Sequence, residues 1–468
     1  MRSVRRREST LPGIDAGIFK SYDVRGIVPE QLNAHAANLI GRAFAQEIGG
    51  GTIALGRDMR IHSDELAQAL SDGITAQGCD VVDVGRVPTD ALYFAVGSLK
   101  LDGGAMVTAS HNPPEYNGFK LCRQGAEPLS LEDGIGRIRE TIALDDFDPP
   151  ARTGAVSQRE ISDAYVRHAL SFVDGSRIKP FRIVVDAGNG MAGAAVPRVF
   201  GELPCTLIPM FFELDGTFPN HEANPIDPAN LRQLQKRIVE ERADFGVAFD
   251  GDGDRMFLVD EKGRPLGGDI VTLLVALNLL KKHPGEAILY NLICSKAVPD
   301  AISRAGGRAV RTPVGHALIK PIMKHEEAVF GGEHSGHFYF RNNWNADSGL
   351  IAMLVALETI SESGQPLSEL VASVDPYVRS GEINTKVSSI AKTLERVVKA
   401  YPKAIVDRTD GITISFESWW FNVRPSNTEP LLRLNVEADS ADLLEEKTAE
   451  LLVIIKGHRR KKSSTAAE

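Results

Sequence analysis

The sequence predicts an α/β protein built of three similar units followed by a smaller α+β domain. Three observations carry this expectation. Short apolar runs alternate with helical patterns over most of the chain, which implies parallel strands joined by helical crossovers. The pattern restarts at Arg182 and again at Ala287. Beyond residue 410 it changes, and apolar alternating stretches follow one another without an intervening helix. The 468 residues leave room for about three or four domains of ordinary size.

The elements can be taken in order. Residues 52–56 read as a strand. Residues 62–78 read as a helix, with Ser63 as its cap, Leu66, Leu70 and Ile74 on one face, and Gly78 as its stop. Further strands are expected at 81–84, 105–108, 182–186, 245–249, 256–259 and 287–290. In the last part, strands at 411–416, 419–423 and 432–436 precede a helix at 443–455. Pro149-Pro150, the turn from Lys262 to Pro265 and the stretch Val374-Asp375-Pro376 are the natural boundaries. The expected division is therefore 11–157, 158–262, 263–374 and 375–456, with basic tails at 1–10 and 457–468.

Composition narrows the function. Hydrophobic residues make up 43% and charged residues 25%, a globular profile. The net charge is −9. Each basic tail carries a net +3, which leaves −15 between them. Such a surface argues against nucleic acid as a partner. The most apolar stretch, residues 270–280, is too short to span a bilayer, so no membrane role is expected. Cys79, Cys122, Cys205 and Cys294 are far apart and form no metal or disulfide framework, as expected of a cytoplasmic protein.

Four clusters carry chemistry. The first runs from Thr108 to Lys120 and contains Ser110-His111-Asn112-Pro113-Pro114. A serine where a strand ends, with a histidine and a cation nearby, is a candidate nucleophile or phosphate carrier; it also reads as a turn-capping serine. The second is Asp250-Gly251-Asp252-Gly253-Asp254-Arg255. Alternate carboxylates crowd one another unless a cation neutralises them, and hard oxygen donors suit Mg²⁺ or Ca²⁺. An EF-hand is the decoy, since Glu261 falls at its twelfth position. Arg255, however, stands where that loop needs glycine, and strands rather than helices flank the run. A solvated acidic turn is the plainer alternative.

The third cluster is Gly331-Gly332-Glu333-His334-Ser335-Gly336-His337. Glu333 and Ser335 can grip sugar hydroxyls and His337 can move a proton, or the histidines are structural. The fourth, Arg424-Pro425-Ser426-Asn427-Thr428-Glu429-Pro430, offers a guanidinium, hydroxyls and backbone N–H groups. That set suits a phosphate monoester, or else makes an ordinary polar hairpin loop.

With all four motifs in order over about residues 14–456, the chain resembles the α-D-phosphohexomutase superfamily, nearest the phosphomannomutase/phosphoglucomutase group. The resemblance implies four domains around a central cleft, each giving one loop. It makes Ser110 the phosphoryl carrier. Asp250, Asp252 and Asp254 would hold one Mg²⁺ against it. Arg255, Glu333 and Ser335 would face the sugar. Arg424, Ser426, Asn427 and Thr428 would clamp the phosphate that is not reacting. The segment Tyr22-Asp23-Val24-Arg25-Gly26 also matches, which puts Tyr22 and Arg25 at the cleft. Lys120 and His337 become the proton-transfer groups, and Lys296 and His316 further substrate contacts.

The implied reaction interconverts hexose 1-phosphate and 6-phosphate through a phosphoserine and a hexose 1,6-bisphosphate, which serves as intermediate and activator. The protein would act as a monomer or dimer on small hexose phosphates. In the resemblance, glucosamine-phosphate enzymes carry Gln and many dual-specificity enzymes Met where this chain has His334, so mannose or glucose phosphate is favoured over glucosamine phosphate. Two other classes remain open on sequence: a phosphosugar hydrolase, against which the fourth loop speaks, and a silent sugar-phosphate binder, against which the intact Ser110 and aspartates speak.

Overall fold

The computed structural model of the protein describes residues 14–425 and 431–457. Both basic tails, and Ser426, Asn427 and Thr428 of the fourth loop, lie outside the described residues. Four sheets follow one another along the chain. The first has seven strands, with Gly103–Val107 and Asp80–Arg86 parallel on either side of Thr52–Arg57. The second has four, with Arg182–Asp186 central between Thr206–Met210 and Phe245–Phe249, again parallel. The third has five, with Ala287–Asn291 parallel to both Arg308–Thr312 and Phe330–Gly332. The fourth is antiparallel throughout its described pairings, around Trp419–Pro425 and Leu431–Ala438. The protein thus has the expected four-domain arrangement, three mixed α/β domains and one α+β domain.

Crossovers are only half of the topology. In each of the first three sheets one central parallel strand turns straight back into an antiparallel neighbour. Gly103–Val107 pairs with Tyr116–Arg123, Phe245–Phe249 with Met256–Asp260, and Phe330–Gly332 with Phe338–Phe340. Each of the first three chemical clusters is the connection inside one of these hairpins, at the carboxyl end of a parallel strand. That end of an open α/β sheet is where ligands bind, because no chain covers it.

One element differs from expectation. The helix Ser63–Ala76 is not capped by Ser63. Its hydroxyl bonds Asp58 and accepts from the Asn117 amide at 3.0 Å, so tertiary partners outcompete the local cap. The apolar stretch at 270–280 forms the buried helix Gly268–Lys282, which packs on Gly349–Ser363. Among the described residues no helix is long and apolar enough to cross a membrane.

One hydrophobic core runs through the first three domains, joining Leu92 and Val96 to Val185 and Val247, and these to Leu274, Ile288 and Leu354. The C-terminal domain closes around its own core of Val397, Ile414, Phe421, Leu434 and Leu451. Its seam with the third domain is polar. Glu437 accepts from the Lys296 amide at 2.9 Å. Arg379 reaches Asp269 at 3.3 Å, Glu437 at 3.0 Å and Asp375 at 2.8 Å. Arg311 pairs with Asp407 at 2.7 Å.

Asp90, in the first turn of helix Thr89–Ser98, is buried against Ser348 of the third domain, whose hydroxyl donates to it. Burial pushes its carboxyl up to about 7, from an ordinary 3.8 in the unfolded chain. Between those values the folded protein keeps a proton that the unfolded chain has released. The stability contributed here therefore falls as pH rises toward 7 and is flat above it. Asp90→Asn removes this titration. Relative to wild type it should gain about 2–4 kcal/mol between pH 4 and pH 8, read from denaturant melts at both pH values. A gap that does not change with pH contradicts the assignment.

Candidate active site

The first loop leaves its sheet after Val107, and Ser110 takes a left-handed backbone conformation with φ of 51°. That region is uncommon for a residue with a side chain, and such strain gathers at functional positions. The buried Ser110 hydroxyl donates to Asp250 Oδ2 at 2.8 Å and accepts from Arg255 Nη2 at 3.0 Å. His111 Nδ1 lies 3.3 Å away and accepts from Arg255. Burial, then the charges of Arg255 and Arg25, hold His111 well below its ordinary value, so it is a neutral imidazole.

The second loop is seated directly on the first. A Cβ at Gly251 would lie 2.5 Å from the Ser110 carbonyl oxygen, so only glycine allows the approach, and Gly253 turns with φ of 77°. This folding brings ligand atoms of Asp250, Asp252 and Asp254 within 4.8 Å of one another. All three are buried. Lys120 donates to Asp252 at 2.7 Å and also to Asp254. Thr89 donates its hydroxyl to Asp252. Burial would raise Asp252, but the Lys120 ammonium outweighs it and holds the carboxyl low. Asp254 is pushed up to about 7 by burial and by the Asp252 charge. Lys120 is held charged: burial opposes this, and Asp252 and Asp254 prevail. The Oδ1 atoms of Asp252 and Asp254 are buried without a hydrogen-bond partner among the described residues. Hard carboxylate oxygens with unused lone pairs, converging in one place, fit a divalent cation. The EF-hand reading fails: Glu261 accepts from Ser368 instead, and strands flank the loop.

The third loop closes through Glu333 N–H to the His337 carbonyl at 2.9 Å. Glu333 is buried and held by the Tyr339 hydroxyl at 2.8 Å and the Gly315 amide at 3.1 Å. With the Asn291 amide at 3.5 Å, these bonds orient the carboxylate and leave it a further acceptor position. Tyr22 faces this group: its hydroxyl would lie 2.8 Å from a Cβ on Gly315. Burial, then the charges of Glu333, Asp410 and Glu132, raise that phenol. Ser335 is half-buried in the turn. His337 Nδ1 meets Asp347 Oδ2 at 2.9 Å and lies 4.0 Å from Asp254. Burial would lower His337, but Asp347 and Asp254 raise it above its ordinary value. His334 turns to Asp269, 3.6 Å away.

The structure therefore brings Ser110, Asp250, Asp252, Asp254, Arg255, Lys120 and His337 into one cluster that joins three domains. Arg25 stands at its rim, donating to Asn112 and paired with Asp23. Lys296 is not part of it. Its ammonium lies over the Tyr377 ring, 5.3 Å from the centroid, at the seam with the C-terminal domain. Arg424 is buried in the C-terminal sheet, 3.2 Å from Glu382 and 3.9 Å from Asp410, the same Asp410 whose charge reaches Tyr22. His316 begins the helix His316–His325. The sequence reading missed Arg60, Thr89 and Asp347. Each acts on a motif residue from a distant position, and the only local signal was an arginine just past a strand end at Arg57.

Comparison with known proteins identifies the family. Profiles of the phosphoglucomutase/phosphomannomutase family match in order: alpha/beta/alpha domain I at residues 16–148, domain II at 163–263, domain III at 267–377 and the C-terminal domain at 382–452. The chain is 44% identical over 452 residues to a protein of Xanthomonas campestris described as phosphohexose mutases, covering 96% of this chain and all of that one. It is 40% identical to a phosphomannomutase of Escherichia coli K12, over 93% of this chain and 98% of the other. A crystal structure of a phosphoglucomutase/phosphomannomutase family protein from Burkholderia thailandensis superposes with a TM-score of 0.85 at 33% identity, covering 96% and 99% of the two chains. Four matched domains in family order, around a serine and three aspartates drawn together by the fold, make this chain a member of the phosphoglucomutase/phosphomannomutase family and a phosphohexomutase.

Proposed function

We propose that the protein interconverts the 1- and 6-phosphates of mannose, glucose or both, through a phosphoryl group carried on Ser110. The observation that carries this reading is the contact of the Ser110 hydroxyl with Asp250 and Arg255, under three converging carboxylates. Asp250, Asp252 and Asp254 would hold Mg²⁺ beside the serine. A bound Mg²⁺ would neutralise charge on the phosphoryl oxygens. In the first half of the cycle the bond from phosphorus to Ser110 Oγ breaks as one to a sugar hydroxyl forms, and the hydroxyl proton passes to a base. The bisphosphate then reorients and returns its other phosphoryl group to Ser110.

The chain's own groups have distinct parts in this. Arg255 and Arg25 supply fixed positive charge around the serine, where it is worth most because the site is buried. Lys120, held as an ammonium, serves as a proton donor and charge partner. His337 is the base candidate: Asp347 accepts at Nδ1, which selects the tautomer that takes a proton at Nε2. Tyr22, Glu333 and Ser335 would orient the sugar. Arg424, with Ser426, Asn427 and Thr428, would clamp the distal phosphate, and His316 and Lys296 would make outer contacts. Because the C-terminal domain has its own core and a polar seam, it is the part that closes over the substrate.

A coupled assay on the 1-phosphates of mannose, glucose and glucosamine tests the reading. Mannose or glucose 1-phosphate should yield its 6-phosphate, glucosamine 1-phosphate little, and free phosphate should not accumulate. Phosphate release without isomer would overturn the transfer mechanism. Preference for glucosamine would overturn the substrate.

A further inference from the structure

We propose that Arg60 is the positioning residue of the serine loop, a buried guanidinium that replaces the hydrogen-bond donors removed by Pro113 and Pro114 and opposes the carbonyl charge beneath Ser110. The inference rests on the phosphoserine reading above. The Arg60 side chain is fully buried. Its Nη2 donates to the carbonyls of Ser110 at 2.8 Å and Asn112 at 2.6 Å. Its Nη1 donates to those of Pro113 at 2.8 Å and Tyr116 at 3.1 Å. Its Nε lies 3.3 Å from Asp58 Oδ2. The Phe218 ring of the second domain covers the guanidinium, 5.0 Å from Cζ.

The need for such a group follows from the loop's own sequence. The Asn112 carbonyl belongs to the peptide bond with Pro113, and the Pro113 carbonyl to that with Pro114. Neither bond has an N–H. Two prolines therefore give the loop an excess of acceptors, and here the acceptors point inward where water does not reach. The Pro113 carbonyl also accepts from the Tyr116 N–H at 3.1 Å, but buried carbonyls short of donors are costly, so one group serves several of them at once. Arginine has five N–H donors in a planar fork, and four of them are used here on carbonyls. Lysine has three donors around one point and cannot match the arrangement.

Electrostatics gives the second half of the argument. The four carbonyls turn their negative ends toward a single point below Ser110. Unopposed, they would repel a phosphoryl dianion on that serine. The Arg60 charge, shared with Asp58, opposes that field. The trans peptide after Ser110 also turns the His111 N–H away from Arg60. Arg60 thus acts on the reacting serine through the backbone and touches no substrate.

The test compares wild type with Arg60→Lys, which keeps the charge and loses the fork. Mass spectrometry of wild type under turnover should first show phosphate on Ser110. The variant should fold, with kcat down about a hundredfold, as displacement of a reacting group by about 1 Å predicts. KM should stay within about threefold, because no substrate contact is lost. Phosphate on Ser110 should fall, and amide exchange at residues 110–116 should quicken. If Arg60→Lys does not fold, Asp58→Asn decides: it leaves Arg60 in place but loosens its orientation, and should lower kcat and quicken the same amides. A folded Arg60→Lys enzyme with near wild-type kcat, or Asp58→Asn with unchanged kcat and exchange, overturns the proposal. Wild type without phosphate on Ser110 overturns the phosphoserine reading instead, and the exchange measurement still reads the hold of Arg60 on the loop.

Discussion

Ser110→Ala is expected to lower kcat by at least about a thousandfold, since the group that accepts and returns the phosphoryl is gone. The fold should survive. The loop backbone is held from below by Arg60 through four carbonyls, none of which the substitution alters. The hydroxyl contacts with Asp250 and Arg255 are lost, but those two side chains remain paired to each other at 2.9 Å. Sugar phosphate should still bind, because the hydroxyl is one contact among many. Turnover by coupled assay, binding by calorimetry and peptide mass spectrometry together check this. Near wild-type turnover, with phosphate on another residue, would remove Ser110 from its role.

Asp252→Asn is expected to have the next largest effect. Asp252 is one of three converging carboxylates, and it also holds the Lys120 ammonium and accepts from Thr89. The change removes one negative charge from the candidate cation site and frees Lys120 from one of its two partners. Activity at saturating Mg²⁺ should fall about 10²- to 10³-fold, the scale of losing one fixed charge or donor in a preorganised site. The Mg²⁺ needed for half-activation should rise as well. Stability should change little by comparison, because Lys120 keeps Asp254 and the repulsion between neighbouring carboxylates is relieved. Titration of activity against Mg²⁺, beside a thermal melt, separates the two effects. Activity that survives a chelator and is unchanged in the variant would contradict the metal role.

Much of this was legible in the sequence, for a physical reason. Ser110, Asp250 to Arg255, and Glu333 to His337 lie in short contiguous runs because each is one hairpin connection at the open end of a strand. Chemistry compressed into one turn leaves a local signature. Arg60, Thr89 and Asp347 left none. They reach motif residues across 50, 163 and 10 positions, and contacts of that kind are decided by packing. Strand direction was equally hidden, since apolar alternation does not say whether the next strand runs back or forward. Lys296 shows the limit for a single side chain. The resemblance singled it out, but its turn toward Tyr377 depends on a tyrosine 81 residues away.

The seam around Arg379 has a mechanical consequence. Interlocked apolar side chains have one good fit and lose their attraction within an ångström or so of sliding. Attraction between charges fades far more gradually with distance. Arg379 sits among three carboxylates, Asp269, Glu437 and Asp375, one of them on the third domain and one on the strand Leu431–Ala438 of the C-terminal domain. Such a bearing can turn through many orientations while exchanging one anion for another, and it never has to come fully unmade. Its anions are nearly buried, so dissolved ions screen this joint little and it should hold over a wide range of salt.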